Sequence, residues 1–281
     1  MAAHGEAAPG ARPVAAAASA ASSRRLSPAE IVLPLVSVGA SLALWELVSR
    51  TGLVSQTDLP SMTDTVQELW ALAHTAAFWR DVAYTVRGWG LGLLIAAVFA
   101  IPIGIALGSS DTAARAFRVP IEFLRPIPSA VLIPLLFLTL GTSLESELLL
   151  AAFGAFWPLL VQTMYGVRDV DPVAMDTARS FGVGRIERLV RITLPSSLPY
   201  IATGLRISST VSLILAFTAE LFMGTPGLGQ AVNYASSYAL TDQLYALALA
   251  TGLLGLAIHF ATTALEHRML RWHPSQRGLT A

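Results

Sequence analysis

Four long stretches of this chain carry no charged side chain: residues 88–110, 126–144, 148–167 and 243–265. A hydrocarbon layer of about 30 Å is crossed by roughly 20 apolar residues in helical form, so each stretch is long enough to span it. Two further candidates are 31–49, interrupted by Glu46, and 196–221, interrupted by Arg206 and closed by Glu220. Lipid offers no partners to backbone groups, so continuous apolar runs must be helices; spanning strands would alternate in short segments. The fold class expected is therefore all-α, a polytopic membrane protein with six transmembrane helices. Composition agrees: 54% of residues are hydrophobic and 13% charged, where a soluble domain has about 25% charged.

Residues 221–241 are uncharged as well, but Gly224, Pro226, Gly227, Gly229, Gln230 and Asn233 make them too polar and too broken for lipid. They read as an external loop with a short helix, and a partly buried re-entrant segment is the open alternative.

Orientation follows from arginine, because positive charge is retained on the cytoplasmic side. With the N-terminus inside, the inner segments hold Arg12, Arg24, Arg25, Arg115, Arg118, Arg168, Arg179, Arg185, Arg188, Arg191, Arg268, Arg271 and Arg277. The outer segments hold only Arg50 and Arg80. The N- and C-termini are thus both expected in the cytoplasm. Residues 1–29, rich in Ala, Pro and Ser, read as a disordered cytoplasmic tail. Residues 30–80 read as the first span with its external connection, 81–266 as the main membrane unit, and 267–281 as a cytoplasmic C-terminal tail.

All 18 basic residues are Arg, and they balance 18 acids. Without Lys the chain cannot build a phosphate-binding P-loop or a Schiff base. Without Cys it has no thiol nucleophile and no thiolate metal site. The zero net charge gives no basic patch for nucleic acid. No H-E-x-x-H string occurs, and no cofactor or metal is expected.

The longest inner loop, 167–195, is patterned. Asp171-Pro172 starts a helix, with Asp as the cap and Pro at the first position. Val173, Ala174, Thr177, Ala178 and Phe181 recur at helical spacing on one side. Gly182 and Gly184 break that helix. Arg185–Thr193 resumes a helical pattern, and Pro195 is expected to stop it. On pattern alone this fits an amphipathic loop resting on headgroups as well as it fits a docking element.

The wording of the loop resembles the inner-membrane permease subunits of ATP-binding-cassette importers, whose signature is E-A-A-x3-G-x9-I-x-L-P. Here it reads Asp176-Thr177-Ala178, Gly182 and Ile192-Thr193-Leu194-Pro195, with both spacings kept and Asp and Thr replacing Glu and the first Ala. The branch handling aliphatic sulfonates, taurine and nitrate is also similar in Leu124-Arg125-Pro126-Ile127-Pro128, Gly166-Val167-Arg168, Thr203-Gly204-Leu205-Arg206, Ala219-Glu220-Leu221 and Gly227-Leu228-Gly229. The resemblance spans roughly residues 80–265.

It implies the type I (MetI-like) importer fold and a permease subunit with no chemistry of its own. It implies as partners two ATP-binding-cassette ATPase subunits, a periplasmic or lipid-anchored solute-binding protein and a second permease copy, in a bacterial inner membrane whose lipid surrounds the spans. The loop residues Asp176, Thr177, Ala178, Phe181, Gly182, Ile192, Leu194 and Pro195 are then the coupling element to the ATPase. Candidates for the path or gate are Arg125, Pro126, Pro128, Arg206, Glu220, Gly227 and Gly229. Arg206 lies about 12 Å along its span from Leu198 and Glu220 about 33 Å, near the other face. A small anion, such as a sulfonate, taurine or nitrate, is the expected solute. A secondary transporter would need repeated halves and midplane acids, and an intramembrane hydrolase a Ser facing His or Lys; both are the weaker alternatives.

Overall fold

The computed structural model describes residues 28–52, 54–55 and 57–270, with side chains from residue 32 onward. Its helices are α1 (Pro28–Arg50), α2 (Met62–Ala73), α3 (Ala76–Gly108), α4 (Asp111–Leu124), α5 (Ile133–Leu140), α6 (Leu144–Arg168), α7 (Pro172–Ser180), α8 (Arg185–Arg188), α9 (Leu194–Met223), α10 (Leu228–Ser237) and α11 (Thr241–Met269). The chain is all-α among the described residues, as expected. Residues 28–29 belong to α1 and 267–269 to α11; the remainder of both expected tails, apart from Leu270, lies outside the described residues.

Five segments are long and apolar enough to cross a membrane: Val32–Arg50, Ala76–Gly108, Leu144–Arg168, Arg185–Met223 and Thr241–Met269. Counted as one span, the helix pair Asp111–Leu124 with Ser129–Leu140, bent by 76°, makes a sixth. This corrects the third span expected over 126–144. The supposed loop before it is α4, capped by Ser110, whose hydroxyl oxygen accepts from the Ala113 N–H at 3.3 Å. Arg125 is still helical, but Pro126 and Pro128 supply no N–H to continue the ladder, so the break falls at Arg125–Pro128. A short 3-10 turn, Ser129–Leu132, then leads into α5.

The second correction concerns Pro195, which does not end the helix before it. Leu189–Thr193 form a π-helical turn in which the Leu194 N–H donates to the Leu189 carbonyl. That wider turn accommodates the proline near the first position of α9, where a missing N–H costs nothing. The helical path is unbroken from Arg185 to Met223.

Close packing of α3, α6 and α9 forms the core. On α3 a small residue recurs every fourth position: Gly88, Gly92, Ala96, Ala100, Gly104 and Gly108. These let the backbones approach as membrane helix interfaces require. A Cβ on Gly104 would sit 2.7 Å from Thr163 Cβ, and one on Gly108 2.7 Å from Val167 Cβ. Gly88 meets Glu147, and Gly92 meets Ala151, so α3 and α6 run parallel in constant register. The return pass between them is the bent pair. Helix α9 runs the other way: its Ser208 hydroxyl donates to the Ala155 carbonyl at 2.6 Å, and its Ser212 hydroxyl to the Trp89 carbonyl at 2.9 Å. Trp89 and Trp157 pack inside: Trp89 Nε1 donates to the Ser209 carbonyl at 3.0 Å, and Trp157 is 9% exposed.

Candidate functional site

Two regions gather the residues singled out above, one at each end of the α3–α6–α9 core.

The loop between α6 and α9 is tied down at its base. The Tyr200 hydroxyl donates to Asp169 Oδ2 at 2.7 Å, and the Val173 N–H donates to Asp171 Oδ1 at 2.8 Å, the cap expected from Asp171-Pro172. Helix α7 ends in a left-handed turn. Gly182 has φ +73°, the Val183 N–H reaches back to the Ala178 carbonyl at 3.0 Å, and the Gly182 N–H to the Arg179 carbonyl at 3.0 Å. Glycine suits that position because it carries no Cβ penalty there. Nothing lies within 4 Å of where a Gly182 Cβ would be. Close approach at Gly182 is therefore not a demand of this chain on itself. Past the turn, Arg188 Nη1 donates to the Val183 carbonyl at 2.7 Å, locking α8 against it.

The single apolar side expected for α7 does not exist as drawn. Ala178 is turned into the protein at 8% exposure, whereas Phe181 is 82% exposed. The Phe181 N–H still bonds the Thr177 carbonyl at 3.1 Å, so Phe181 stays on the side shared with Val173 and Thr177; that side faces out, and Ala178 lies on the inward one. Val173 and Ile186 are exposed too. The loop thus presents Val173, Phe181 and Ile186 on either side of an unobstructed glycine turn, with Val190 exposed further along. Asp176 is exposed and pairs with Arg179 at 2.9 Å; Thr177 is exposed beside it. Ile192, Leu194 and Pro195 are half-buried where the π-helical turn enters α9.

At the opposite end, Glu220 is completely buried. Its Oε2 accepts from the Thr85 hydroxyl at 2.9 Å and from the Gly229 N–H at 2.8 Å. Thr85 Oγ1 in turn accepts from the Leu228 N–H at 3.0 Å. One carboxyl group therefore holds α9, α3 and the first turn of α10 together. Gly227 packs directly on that carboxyl, and a Cβ on Gly229 would sit 2.5 Å from the Phe217 carbonyl. These two glycines are required by close approach. The uncharged stretch 221–241 is accordingly a tight turn at Gly224 followed by α10, with Leu228, Gly229 and Ala235 buried.

Glu147, read in the sequence only as the edge of a span, is a second buried carboxyl at this end, 2% exposed and lying against Gly88. Neither Glu147 nor Glu220 forms an ion pair among the described residues, and Oε1 of each, with Oγ1 of buried Thr225, has no hydrogen-bond partner. The signal that could have found Glu147 is the small-residue repeat on α3, whose register places Gly88 opposite it.

The remaining candidates separate. Arg206 does not stand alone: it pairs with Glu266 of α11 at 3.3 Å, and Thr203 donates to the same carboxyl at 3.4 Å. Arg125 ends α4, and Pro126 and Pro128 form the bend after it.

Residues 100–271 match the family model described as binding-protein-dependent transport system inner membrane component. Among curated proteins, the chain is 30% identical over 249 residues to the taurine transport system permease protein TauC of Escherichia coli strain K12, covering 87% of this chain and 90% of that one. It is 28% identical over 234 residues to a permease of the same organism named SsuC, for aliphatic sulfonates transport, with coverage of 83% and 89%. Among solved structures, the inward-facing MetNI methionine ABC transporter superposes with TM-score 0.57 at 16% identity, over 75% of this chain and 98% of that one. An amino acid ABC transporter solved with histidines gives 0.59 at 17% identity, with coverage of 71% and 97%.

Proposed function

Because the chain belongs to the family of binding-protein-dependent transport system inner membrane components, and is thus a multi-pass permease subunit of an ABC importer, we propose that its loop 169–195 is the element through which a separate ATPase drives it. The observation that carries this is the exposed trio Val173, Phe181 and Ile186 around the left-handed Gly182 turn. An apolar knob beside an open backbone turn suits a groove on a partner. Asp176 and Thr177 flank it, and Ala178 anchors α7 to the bundle. Ile192, Leu194 and Pro195 lie on the unbroken helical path into α9, so a push on the loop moves the span itself rather than flexing a hinge.

In this reading the loop, both termini and all thirteen inner arginines face the cytoplasm. Two copies of the chain line the path, two ATPase subunits sit beneath them, and a solute-binding protein docks outside. Residues 81–266 carry the permease unit, preceded by the first span and its external connection. The Glu220–Thr85–Gly229 clasp, with Gly227, holds the outer gate, and Arg125, Pro126, Pro128 and Arg206 border the path. The solute is a small anion of the sulfonate class, the cargo for which two similar permeases are named. Co-expression tests the proposal: the tagged chain should bring its ATPase through purification, and Phe181→Asp should release it while the permease still inserts. An ATPase retained by Phe181→Asp, or none retained by the wild type, would overturn it.

A further inference from the structure

Helix α4 packs little of itself against the bundle, and only Ala114 is buried. Its apolar residues Phe117, Val119 and Phe123 are more than half exposed, and its charged residues, exposed as well, line an open cleft against the last turns of α6. The cleft has a volume of about 330 Å³. Arg115, Arg118, Glu122 and Arg125 of α4 stand on one side and Arg168 of α6 on the other, over a floor that includes Val161 and Met164. Arg118 is committed to Glu122 at 2.8 Å. Among the described residues the other three guanidinium groups have no side-chain partner, so four arginines against one glutamate leave three positive charges facing one small space.

Like charges gathered without a counter-ion repel, and a guanidinium fork is matched by a planar or tetrahedral oxyanion that accepts two parallel hydrogen bonds. The apolar floor suits a carbon chain attached to such a head. We propose that this cleft binds a tetrahedral oxyanion head group, a phosphate or sulfonate ester or acid carrying an apolar tail. Two sources offer that chemistry: the head of an anionic phospholipid, since basic clefts between membrane helices near one face attract such lipids, and a soluble sulfonate. The inference rests on the cleft alone and holds whether or not the loop couples to an ATPase.

The test uses the full chain in two arms. In the first, nanodiscs of phosphatidylcholine with a minority of phosphatidylglycerol are made, and the lipid that stays with the protein is identified by native mass spectrometry. In the second, radiolabelled methanesulfonate is equilibrated with the protein in phosphatidylcholine alone. At about a fivefold contribution per arginine, Arg115→Gln, Arg125→Gln and Arg168→Gln together should weaken binding on the order of a hundredfold. Glu122→Gln, which frees Arg118, should tighten it several-fold and serves as the control if the triple variant misfolds. Retention of phosphatidylglycerol alone assigns the cleft to lipid, and methanesulfonate binding alone assigns it to a soluble anion. Retention of neither, or binding unchanged in both variants, overturns the proposal.

Discussion

Replacing Gly182 separates what this chain needs from what a docked partner needs. The residue sits at φ +73°, where an L-amino acid pays about 1–2 kcal/mol relative to glycine. No described heavy atom lies within 4 Å of a Cβ built there, so the chain itself adds no steric penalty at Cβ, and a longer side chain leaves the turn from open space. Gly182→Ala should therefore shift the turn by a factor of roughly 5–30 at most, locally, without touching the α3–α6–α9 core. Gly182→Arg carries the same backbone strain. Any further loss in the Arg variant must come from something pressed against the turn from outside. ATP-driven uptake in proteoliposomes holding permease, ATPase and binding protein gives the readout, with immunoblots of the membrane fraction and melting in detergent as controls. The expected outcome is reduced but measurable uptake for Gly182→Ala, none for Gly182→Arg, and equal insertion and melting for the two. Equal uptake by the two variants would refute the argument that a partner closes on this turn.

Other consequences are more local. Glu220→Ala removes the acceptor of two buried donors, the Thr85 hydroxyl and Gly229 N–H, and should cost about 2–6 kcal/mol, whereas Glu220→Gln keeps an acceptor oxygen and should melt within a few degrees of wild type. Gly104→Val would drive atoms into Thr163 and the Leu160 carbonyl and should destabilise by about 1–3 kcal/mol or more; Gly90→Ala, with nothing within 4 Å, should be neutral or slightly stabilising in the same melting assay. The Arg206–Glu266 pair, only partly shielded from solvent, should give a double-mutant coupling of about 1 kcal/mol or less, read from melting of the two single alanine variants and the double.

Much of this architecture was legible because a membrane helix announces itself by what it lacks. The uncharged runs 148–167 and 243–265 fall within α6 and α11, and 88–110 ends two residues past α3. The same rule misled at Arg125, since it treats a charge as an edge and cannot see a helix carrying its charges along one side; α4 was therefore missed. Prolines were read as stops, yet Pro195 is absorbed by a π-helical turn that depends on the i−5 bonding of Leu194 rather than on residue type. The loop between α6 and α9 was legible in its caps and its glycine, but not which side of α7 turns inward: Ala178 is buried, while Val173, Thr177 and Phe181 face out. Partnering was the least visible. Glu266 answers Arg206 and Thr85 answers Glu220 across long sequence separations, and no local pattern encodes which helix will face which.

The most direct trial of the account uses the absence of cysteine from the chain. A single Phe181→Cys variant gives one thiol at an exposed position, to be probed with a membrane-impermeant maleimide. Labelling should occur in inverted membrane vesicles stripped of the ATPase, fall sharply when the ATPase is bound, and be absent in intact spheroplasts. Labelling of spheroplasts from outside, or labelling of vesicles that is indifferent to the ATPase, would contradict the claim that this loop is where the driving subunit engages.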